Sequence, residues 1–387
     1  MKNYNILDES LFLNSANELY LSPDEVKKIR ELHDVEDIIK VLGAIVDKIP
    51  YPFSNYTPSQ LNSDFNALKN SHLEIVKGEW VSHRLNDQID LFYDGECIRF
   101  PKAKNAGSKV SNQETERMRL STPTRYPSLV DLWGRERKYW LKYLFNPKMW
   151  NGEVTVKKLK TAIQGQHYAS QFKPLIAKSL YDAFGAKNVL DFSAGWGDRL
   201  VGFLASDAES YIGIDPSTQL HEPYQRIVDF CNTGKPTRFI CSPAEDVDFT
   251  QLKYDFVFTS PPYFTIEKYS QEETQSWKRY PEINLWLEGF LFPTLKNIYE
   301  SLDEGGRMVV NINDVFTGTG KKEICLPMLK YMESLGVHYE GVIGYEMSHR
   351  STGSVESHSM PFCEPMFVWS KGEVSKPNWN PYLFFGV

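Results

Sequence analysis

Short apolar segments with the length of β-strands alternate with helical stretches from residue 188 onward, and this alternation constrains the fold more than any other feature of the sequence. Such an alternation predicts a mainly parallel sheet with helices on both faces. Ligands of these sheets bind at the carboxyl ends of the strands. We therefore expect a doubly wound α/β fold with a seven-stranded sheet, its strands at residues 188–192, 211–215, 237–241, 255–259, 307–312, 340–345 and 365–369.

The N-terminal part of the chain follows another pattern. Ser22-Pro23 has the form of a helix N-cap followed by proline at the first helical position. Residues 73–100 alternate as strands do, with Asp94-Gly95 as a hairpin turn. Residues 101–127 are polar and predict a mobile loop or arm. We expect an N-terminal α+β domain over residues 1–160 and the α/β domain over residues 161–387.

Composition excludes several classes of protein. The sequence contains no signal peptide and no apolar run long enough for a membrane span, so a soluble, cytoplasmic protein is expected. The five cysteines are scattered and never in C-x-x-C spacing, which argues against a disulfide framework and against a structural zinc. Histidine and carboxylate residues do not have the spacing of metal ligands, and no metal is expected.

The net charge of −7 conceals one strongly basic segment. Residues 101–175 hold 15 Lys and Arg against 5 Asp and Glu, with tyrosine and tryptophan interleaved. Phosphate neutralisation and base stacking use these residue types. A solvated basic helix face with core aromatics is the alternative interpretation. The candidate nucleic-acid contacts in this segment are Arg135, Arg137 and Lys138.

A predicted strand that ends in Asp191 leads into a Gly-x-Gly turn at Gly195 and Gly197. Glycine permits close approach of the backbone to a ligand. The nicotinamide fingerprint G-x-G-x-x-G is absent, because Leu200 stands in place of its last glycine. Asp215 ends the next strand, where a carboxylate can accept hydrogen bonds from ribose hydroxyls. The alternative role for Asp215 is to cap the helix that begins near residue 217.

This arrangement resembles the class I methyltransferases that depend on S-adenosylmethionine (SAM), over roughly residues 165–372. The resemblance implies a Rossmann-like fold and SAM as the cofactor, with the glycine loop on its methionine part and Asp215 on its ribose. Residues 242–246 resemble the adenine-contacting segment, with Glu245 or Asp246 as the acceptor, and residues 171–174 resemble the Phe-x-Pro segment near the methionine end. The implied cofactor residues are Phe172, Pro174, Asp191, Phe192, Ser193, Ala194, Gly195, Gly197, Asp215, Pro216, Glu245 and Asp246.

The segment Ser260-Pro261-Pro262-Tyr263 follows the fourth predicted strand directly, which places it beside the cofactor loop. An exocyclic amino nitrogen of a base is a poor nucleophile because its lone pair is delocalised into the ring. Ser260 Oγ and the Pro261 carbonyl can accept its N–H groups, the prolines fix φ and contribute no N–H, and Tyr263 offers a face for an extruded base. Preorganisation of this kind would supply most of the rate. The four residues are the predicted catalytic residues.

The same four residues resemble the catalytic motif of the amino methyltransferases that act on N4 of cytosine or N6 of adenine in DNA. Serine in the first position favours N4 of cytosine. The resemblance implies a DNA partner, extrusion of the target base and direct methyl transfer. Two alternatives stay open: an enzyme that methylates RNA bases or protein glutamine with the same turn, and an inactive nucleic-acid-binding subunit with a SAM fold.

The order of the motifs indicates where the target is recognised. Only about 60 residues separate the cofactor loop from the catalytic turn, and no recognition domain fits between them. We therefore assign recognition to residues 1–160 or to the loop that follows the turn, residues 265–284. For the second segment, a helix that packs its aromatic side chains is the alternative interpretation. Further candidate contacts with nucleic acid are Phe264, His349 and Arg350.

Overall fold

The computed structural model describes residues 2–82, 84–124, 126–136, 138–164, 170–347 and 360–377. Its strands are β1 Tyr20–Leu21, β2 Val76–Lys77, β3 Phe92–Tyr93, β4 Glu96–Phe100, β5 Val154–Thr155, β6 Asn188–Asp191, β7 Ser210–Ile214, β8 Thr237–Ile240, β9 Phe256–Thr259, β10 Arg307–Asn311, β11 Val315–Thr317, β12 Gly320–Lys322, β13 His338–Glu346 and β14 Cys363–Ser370. Its helices are α1 Pro23–Leu32, α2 Val35–Asp47, α3 Pro58–Lys69, α4 Ser108–Ser121, α5 Leu129–Trp133, α6 Lys142–Phe145, α7 Val156–Gln164, α8 Pro174–Phe184, α9 Asp198–Ala205, α10 His221–Cys231, α11 Ser276–Arg279, α12 Ile283–Trp286, α13 Phe292–Ser301 and α14 Cys325–Ser334.

The chain forms two compact units, and each combines two separate segments. The smaller unit consists of residues 1–54 and 116–170, and the larger unit of residues 55–115 and 171–387. The expected division near residue 160 therefore differs from the observed one, because residues 55–115 belong to the larger unit. Pairing between segments so far apart in sequence leaves no local pattern from which the division could be read.

The smaller unit has a helical core of its own. Ser22 caps α1 through a capping box with Glu25, and Pro23 occupies the first helical turn, as the sequence predicts. The apolar faces of α1 and α2 are buried together with side chains of α5 to α7. Strands β1 and β5 pair antiparallel beside them. This unit is held together by apolar burial between its two chain segments.

The larger unit is built on one mixed sheet. Over the described residues its strand order is β2-β4-β3-β13-β14-β10-β9-β6-β7-β8. Strands β10, β9, β6, β7 and β8 are parallel, and β14 runs antiparallel between β10 and β13. All seven predicted strands are present, and the doubly wound α/β fold is confirmed. The central strands β9 and β10 are buried along their whole length, as parallel strands covered by helices are.

Three strands from the N-terminal half extend the same sheet beyond the seven that were expected. The predicted hairpin at Asp94-Gly95 is present, with positive φ at both residues, and it joins β3 to β4. Strands β3 and β4 then pair with β13. The approach depends on Gly341, where a Cβ atom would lie 2.2 Å from the carbonyl oxygen of Phe92.

The prediction of a mobile loop over residues 101–127 is wrong, because α4 occupies most of this segment. Lys109, Arg117 and Ser121 of this helix are exposed, but the side chains of Ser111 and Thr115 are buried and bond within the larger unit. Ser111 Oγ donates to Asp198 Oδ1 across 2.6 Å, and Thr115 Oγ1 donates to the carbonyl of Trp196 across 3.2 Å. Gln171 also donates to Asp198, across 2.8 Å. Polar composition indicated exposure, whereas these hydroxyls satisfy buried acceptors.

Within the described residues, none of the helices has the length and apolar character that a membrane span requires. The same residues contain no cluster of three or more histidine, cysteine or carboxylate side chains arranged to hold a metal ion.

Candidate active site

The predicted cofactor loop and the predicted catalytic turn follow neighbouring parallel strands. Strands β6 and β9 are paired, with Val189 opposite Phe256. From β6 the chain proceeds outward through β7 and β8 and returns to β9 on the other side of β6. This reversal is the topological switch point at which ligands of open α/β sheets bind. The two loops therefore emerge side by side at the carboxyl edge of the sheet.

Asp191, the last residue of β6, has a fully buried carboxylate. Arg199 Nε and Nη2 donate to it across 2.8 and 3.2 Å. Tyr211 Oη and Thr259 Oγ1 donate to it across 2.8 and 2.9 Å. Both of its oxygens are thus engaged within the protein, and the role of Asp191 toward SAM stays a prediction. Asp191 instead joins the glycine loop to Thr259, the residue directly before the catalytic turn.

Arg199 fixes the shape of the glycine loop and was not identified from the sequence. Its Nη2 donates to the carbonyl of Ser193, and its guanidinium carbon lies 5.5 Å from the ring centroid of Phe172. Burial lowers the pKa of Arg199, but the Asp191 carboxylate outweighs burial and the net pKa is raised. The guanidinium therefore stays charged. A single arginine in the first turn of a helix gives no sequence signal for this role.

The glycine loop leaves an unsatisfied donor at its centre. Gly197 has φ +82°, and a Cβ atom there would lie 2.9 Å from Ile227 Cδ1, so only glycine fits. The Gly195 carbonyl accepts a 2.5 Å hydrogen bond from Tyr224 Oη. Between them Trp196 is 7% exposed, and its Nε1 has no hydrogen-bond partner among the described residues. A ligand oxygen would remove the cost of this buried N–H, about 1–3 kcal/mol.

Other predicted cofactor residues flank this loop. The ring of Phe172 packs at 5.5 Å between centroids against both Phe258 and Tyr345, close to Arg199. Pro174 occupies the first turn of α8. Pro174, Phe192 and Ala194 have buried side chains, whereas Ser193 and Gly195 are half-buried. The half-buried backbone at Ser193 and Gly195 is therefore the part of the loop that remains accessible to a ligand.

Asp215 directly follows β7, and its buried carboxylate accepts hydrogen bonds from two loops. It accepts the Gly195 N–H through Oδ2 and the Ser217 N–H through Oδ1, both across 2.9 Å. Burial raises its pKa to about 7. The Ser217 bond closes a turn in front of the short helix Thr218–Leu220, whose N-cap residue is Ser217 rather than Asp215. The buried position at the carboxyl edge keeps the ribose role of Asp215 open.

The predicted adenine segment is engaged by an arginine from another loop. Arg279 donates to Asp246 across 2.8 and 3.1 Å, and its Nη1 lies 2.9 Å from Glu245 Oε1. The Glu245 side chain is 4% exposed and that of Asp246 is 49% exposed. Burial raises the pKa of Glu245. Of the two carboxylates, Glu245 lies in the interior.

The catalytic turn presents acceptors and no free backbone donor between residues 261 and 264. Pro261 and Pro262 have no N–H. The Tyr263 N–H donates to Glu267 across 2.8 Å, and the Phe264 N–H donates to the Pro262 carbonyl across 2.9 Å. Ser260 is half-buried and Pro261 is buried. Such a turn suits a substrate group that donates hydrogen bonds.

Charged residues that the sequence analysis missed surround Tyr263. Tyr263 is 6% exposed, and its hydroxyl donates to Glu364 across 3.3 Å. Burial raises the pKa of Glu267 to about 7, and both Glu364 and Arg84 act on it electrostatically. Arg84 and Glu364 lie far from the turn in sequence, so no spacing pattern connects them with it.

Comparison with known families identifies the C-terminal third of the chain. Residues 254–382 match the DNA methylase family. The match confirms the resemblance to the N4 and N6 amino methyltransferases over these residues and, with it, SAM as the cofactor. The matched residues include the catalytic turn, so this segment of the chain is similar to the DNA methylases. A comparison with curated proteins finds no match.

Solved structures resemble parts of the larger unit. TrmN from Thermus thermophilus is 14% identical with a TM-score of 0.35, over 52% of this chain and 49% of TrmN, so this chain spans about half the length of TrmN. An rRNA methylase from Streptococcus thermophilus is 12% identical with a TM-score of 0.29, over 48% and 87%. A SAM-dependent methyltransferase from Agrobacterium tumefaciens is 18% identical with a TM-score of 0.35, over 54% and 64%. The fold assignment depends on the strand order of this chain itself.

The residues of the three predicted cofactor loops fit SAM. The unpartnered Trp196 Nε1 can donate to a carboxylate oxygen, Asp215 can accept from hydroxyls, and the buried Glu245 can accept from an amino group. SAM carries each of these groups. The three residues lie in the three loops that follow β6, β7 and β8.

Two candidate nucleic-acid contacts, Lys138 and Phe264, are corrected by the structure. Lys138 is 1% exposed, and its ammonium binds Asp47 and the Arg135 carbonyl, so it cannot neutralise a phosphate in this conformation. Phe264 is 4% exposed, with its ring 6.1 Å from that of Trp286 in the core. Arg135 is exposed. Arg137, His349 and Arg350 lie outside the described residues.

The aromatic residues of the basic segment are partly core residues. Trp133 and Trp140 are buried and stack with centroids 5.5 Å apart. Tyr139 and Tyr126 are 52% and 38% exposed. The sequence pattern could not distinguish the buried aromatic residues from the exposed ones, because tryptophan and tyrosine occur both in cores and at sites where bases stack.

Proposed function

We propose that this chain transfers the methyl group of SAM to an exocyclic amino group of a DNA base, with N4 of cytosine favoured over N6 of adenine. The observation that carries the proposal is the 2.9 Å bond from Thr259 Oγ1 to Asp191. This bond links the catalytic turn to Asp191, the last residue of β6, which directly precedes the glycine loop. Holding two reactants in this way accounts for a large part of many enzymatic rate enhancements.

The side chains of the turn act on the amino group of the substrate. SAM supplies an electrophilic methyl group when it is bound. Ser260 Oγ accepts one N–H of the amino group, and the Pro261 carbonyl accepts the other, which directs the nitrogen lone pair out of conjugation with the ring. The backbone N–H groups of Tyr263 and Phe264 are already engaged and do not compete for the nitrogen.

The target base has to leave its stack to reach this turn. Tyr263 is buried in the free chain and its hydroxyl bonds to Glu364. We propose that its ring becomes available to an extruded base when the residues after the turn shift. Recognition of the target is assigned to residues 1–160, where Arg117, Arg135, Lys148 and Lys157 are exposed cations of the smaller unit.

The decisive experiment supplies labelled SAM together with double-stranded DNA, single-stranded DNA or total RNA, and identifies the methylated nucleoside by mass spectrometry. We expect N4-methylcytosine in DNA. Label that appears only in RNA or in protein would refute the DNA assignment and favour the alternative enzymes. The absence of transfer to any substrate would favour the inactive subunit.

Variants of the turn test the assignment of the active site. Ser260→Ala removes an acceptor at the amino nitrogen, and we expect turnover to fall by about 100-fold with SAM affinity unchanged. Ser334→Ala is the matched control, because Ser334 is an exposed serine at the end of α14 whose hydroxyl bonds only locally to the Tyr331 carbonyl. Equal turnover in both variants would refute the role of Ser260.

A further inference from the structure

The segment that follows the catalytic turn, residues 267–280, contacts all three loops that are predicted to hold SAM. We call this segment the strap. The contacts come from different residues and reach different loops, which follow β6, β7 and β8. A segment that merely continued the catalytic turn would not require contacts to each of them.

The strap binds the loop after β7 through two residues. The Glu272 carboxylate accepts the backbone N–H of Thr218, with both oxygens at 3.2 Å, and it also accepts the Thr218 hydroxyl. Thr274 Oγ1 donates to the carbonyl of Pro216 across 3.3 Å. Pro216 directly follows Asp215, the predicted ribose acceptor, so these bonds attach the strap beside the ribose position.

The strap binds the loop after β8 through Arg279. Its guanidinium makes two hydrogen bonds to Asp246 and approaches Glu245 to 2.9 Å. Glu245 is the more buried of the two candidate adenine acceptors. A guanidinium that is held by a neighbouring carboxylate orients Glu245 without blocking both of its oxygens.

The strap reaches the glycine loop through an aromatic contact. The rings of Tyr269 and Trp196 meet edge to face with centroids 5.5 Å apart. Tyr269 also bonds to the buried Glu267, which in turn accepts the Tyr263 N–H of the catalytic turn. The strap is thereby tied to the catalytic turn at one end and to the adenine segment at the other.

From these contacts we infer that Glu272 and Arg279 are positioning residues for SAM, which hold the strap across the three cofactor loops and close the cofactor site. The strap must detach before the cofactor can exchange. The inference deepens the proposed function by naming residues that retain the cofactor. It depends on the cofactor being SAM and not on which base is methylated.

The strap provides its own matched controls. Lys278 and Glu273 are the immediate neighbours of Arg279 and Glu272, and they pair with each other across 2.6 Å within the strap. Neither makes a described bond to a cofactor loop. Glu273→Gln and Lys278→Gln therefore change the same charges at the same segment without releasing it.

The test measures the dissociation rate of S-adenosylhomocysteine by stopped-flow fluorescence and its Kd by calorimetry. We expect Glu272→Gln and Arg279→Gln to raise the dissociation rate about tenfold, and both controls to stay within twofold of the unaltered protein. Thermal unfolding without ligand shows whether each variant is folded. Equal dissociation rates in all four variants would overturn the inference.

Two further measurements distinguish a failure of the strap inference from a failure of the proposed function. Thr218→Val removes the hydroxyl at the other end of the Glu272 contact, so it must raise the dissociation rate in the same direction even if a strap variant does not fold. An unaltered protein that binds S-adenosylhomocysteine but methylates no DNA would refute the proposed function, and the strap would still be judged on dissociation. Failure of the unaltered protein to bind S-adenosylhomocysteine would overturn both.

Discussion

Substitution of Asp191 by asparagine tests whether the buried ion pair organises both loops of the active site. The asparagine side chain keeps the shape of the carboxylate but loses its charge. Arg199 would then remain buried, with a side chain 6% exposed, beside a neutral partner. Tyr211 and Thr259 would also lose a charged acceptor. We expect a large loss of stability together with weaker SAM binding.

The magnitude follows from the environment of the pair. Removing one member of a buried ion pair costs about 3–5 kcal/mol, because the other charge is left uncompensated. For domains of about 150–250 residues, each kcal/mol lowers Tm by about 2–4 °C. The larger unit is somewhat longer, so we expect Tm to fall by about 6–15 °C. Thr259→Val, which removes one hydrogen bond to the same carboxylate, should cost only about 1–2 kcal/mol.

Denaturant unfolding and calorimetric SAM titration measure the two effects separately. The double variant Asp191→Leu with Arg199→Met removes both charges, and we expect it to recover part of the lost stability. It should not recover SAM binding, because the Ser193 carbonyl still lacks its guanidinium donor. A loss below about 1 kcal/mol in Asp191→Asn, or a double variant less stable than either single variant, would refute the reasoning.

Three more predictions concern pH, nucleic acid and helix α4. The raised pKa of Asp215, about 7, means that the folded protein keeps a proton that the unfolded chain loses above about pH 4, so the stability of the free protein should fall as pH rises to about 7. Asp215→Asn should reduce this slope in unfolding experiments at several pH values, and an unchanged slope would contradict the assignment. Arg135→Glu should weaken DNA binding and lower its salt dependence by about one phosphate contact. Lys138→Met should lower stability but leave DNA binding unchanged. Binding isotherms at several salt concentrations distinguish the two variants. Ser111→Ala removes the hydroxyl that donates to the buried Asp198 across 2.6 Å, and we expect denaturant unfolding to show that the free energy of unfolding falls by about 1–3 kcal/mol. An unchanged free energy of unfolding would mean that this hydroxyl is dispensable.

Local chemistry was sufficient to predict the sheet and the turns. The seven strands were visible because each contains a short apolar run, and the hairpin at Asp94-Gly95 was visible because that turn favours these residues. The proximity of the cofactor loop and the catalytic turn followed from strand order alone. Each of these inferences depends on residues close together in sequence.

Hydrogen bonds and ion pairs between residues far apart in the sequence could not be predicted from sequence patterns. The polar face of α4 looked solvated because its acceptors, Asp198 and the Trp196 carbonyl, lie more than 80 residues away in the chain. Lys138 looked like a phosphate contact because its partner Asp47 lies 91 residues away. The strap was recognised as a loop, but its bonds to Thr218 and Asp246 depend on three-dimensional proximity.

The pairing of β3 and β4 with β13 also bears on how the protein can be divided for laboratory work. A fragment that starts at residue 161 would keep the cofactor loop and the catalytic turn but would strip one side of β13, whose residues Gly341–Tyr345 are buried in the full chain. A long apolar edge left bare in this way recruits other chains and promotes aggregation. Division at residues 55, 116 and 171, where the chain passes from one unit to the other, follows the molecule more closely than any single cut. The catalytic half therefore has to be produced with the hairpin of β3 and β4, which ends about 60 residues before residue 161.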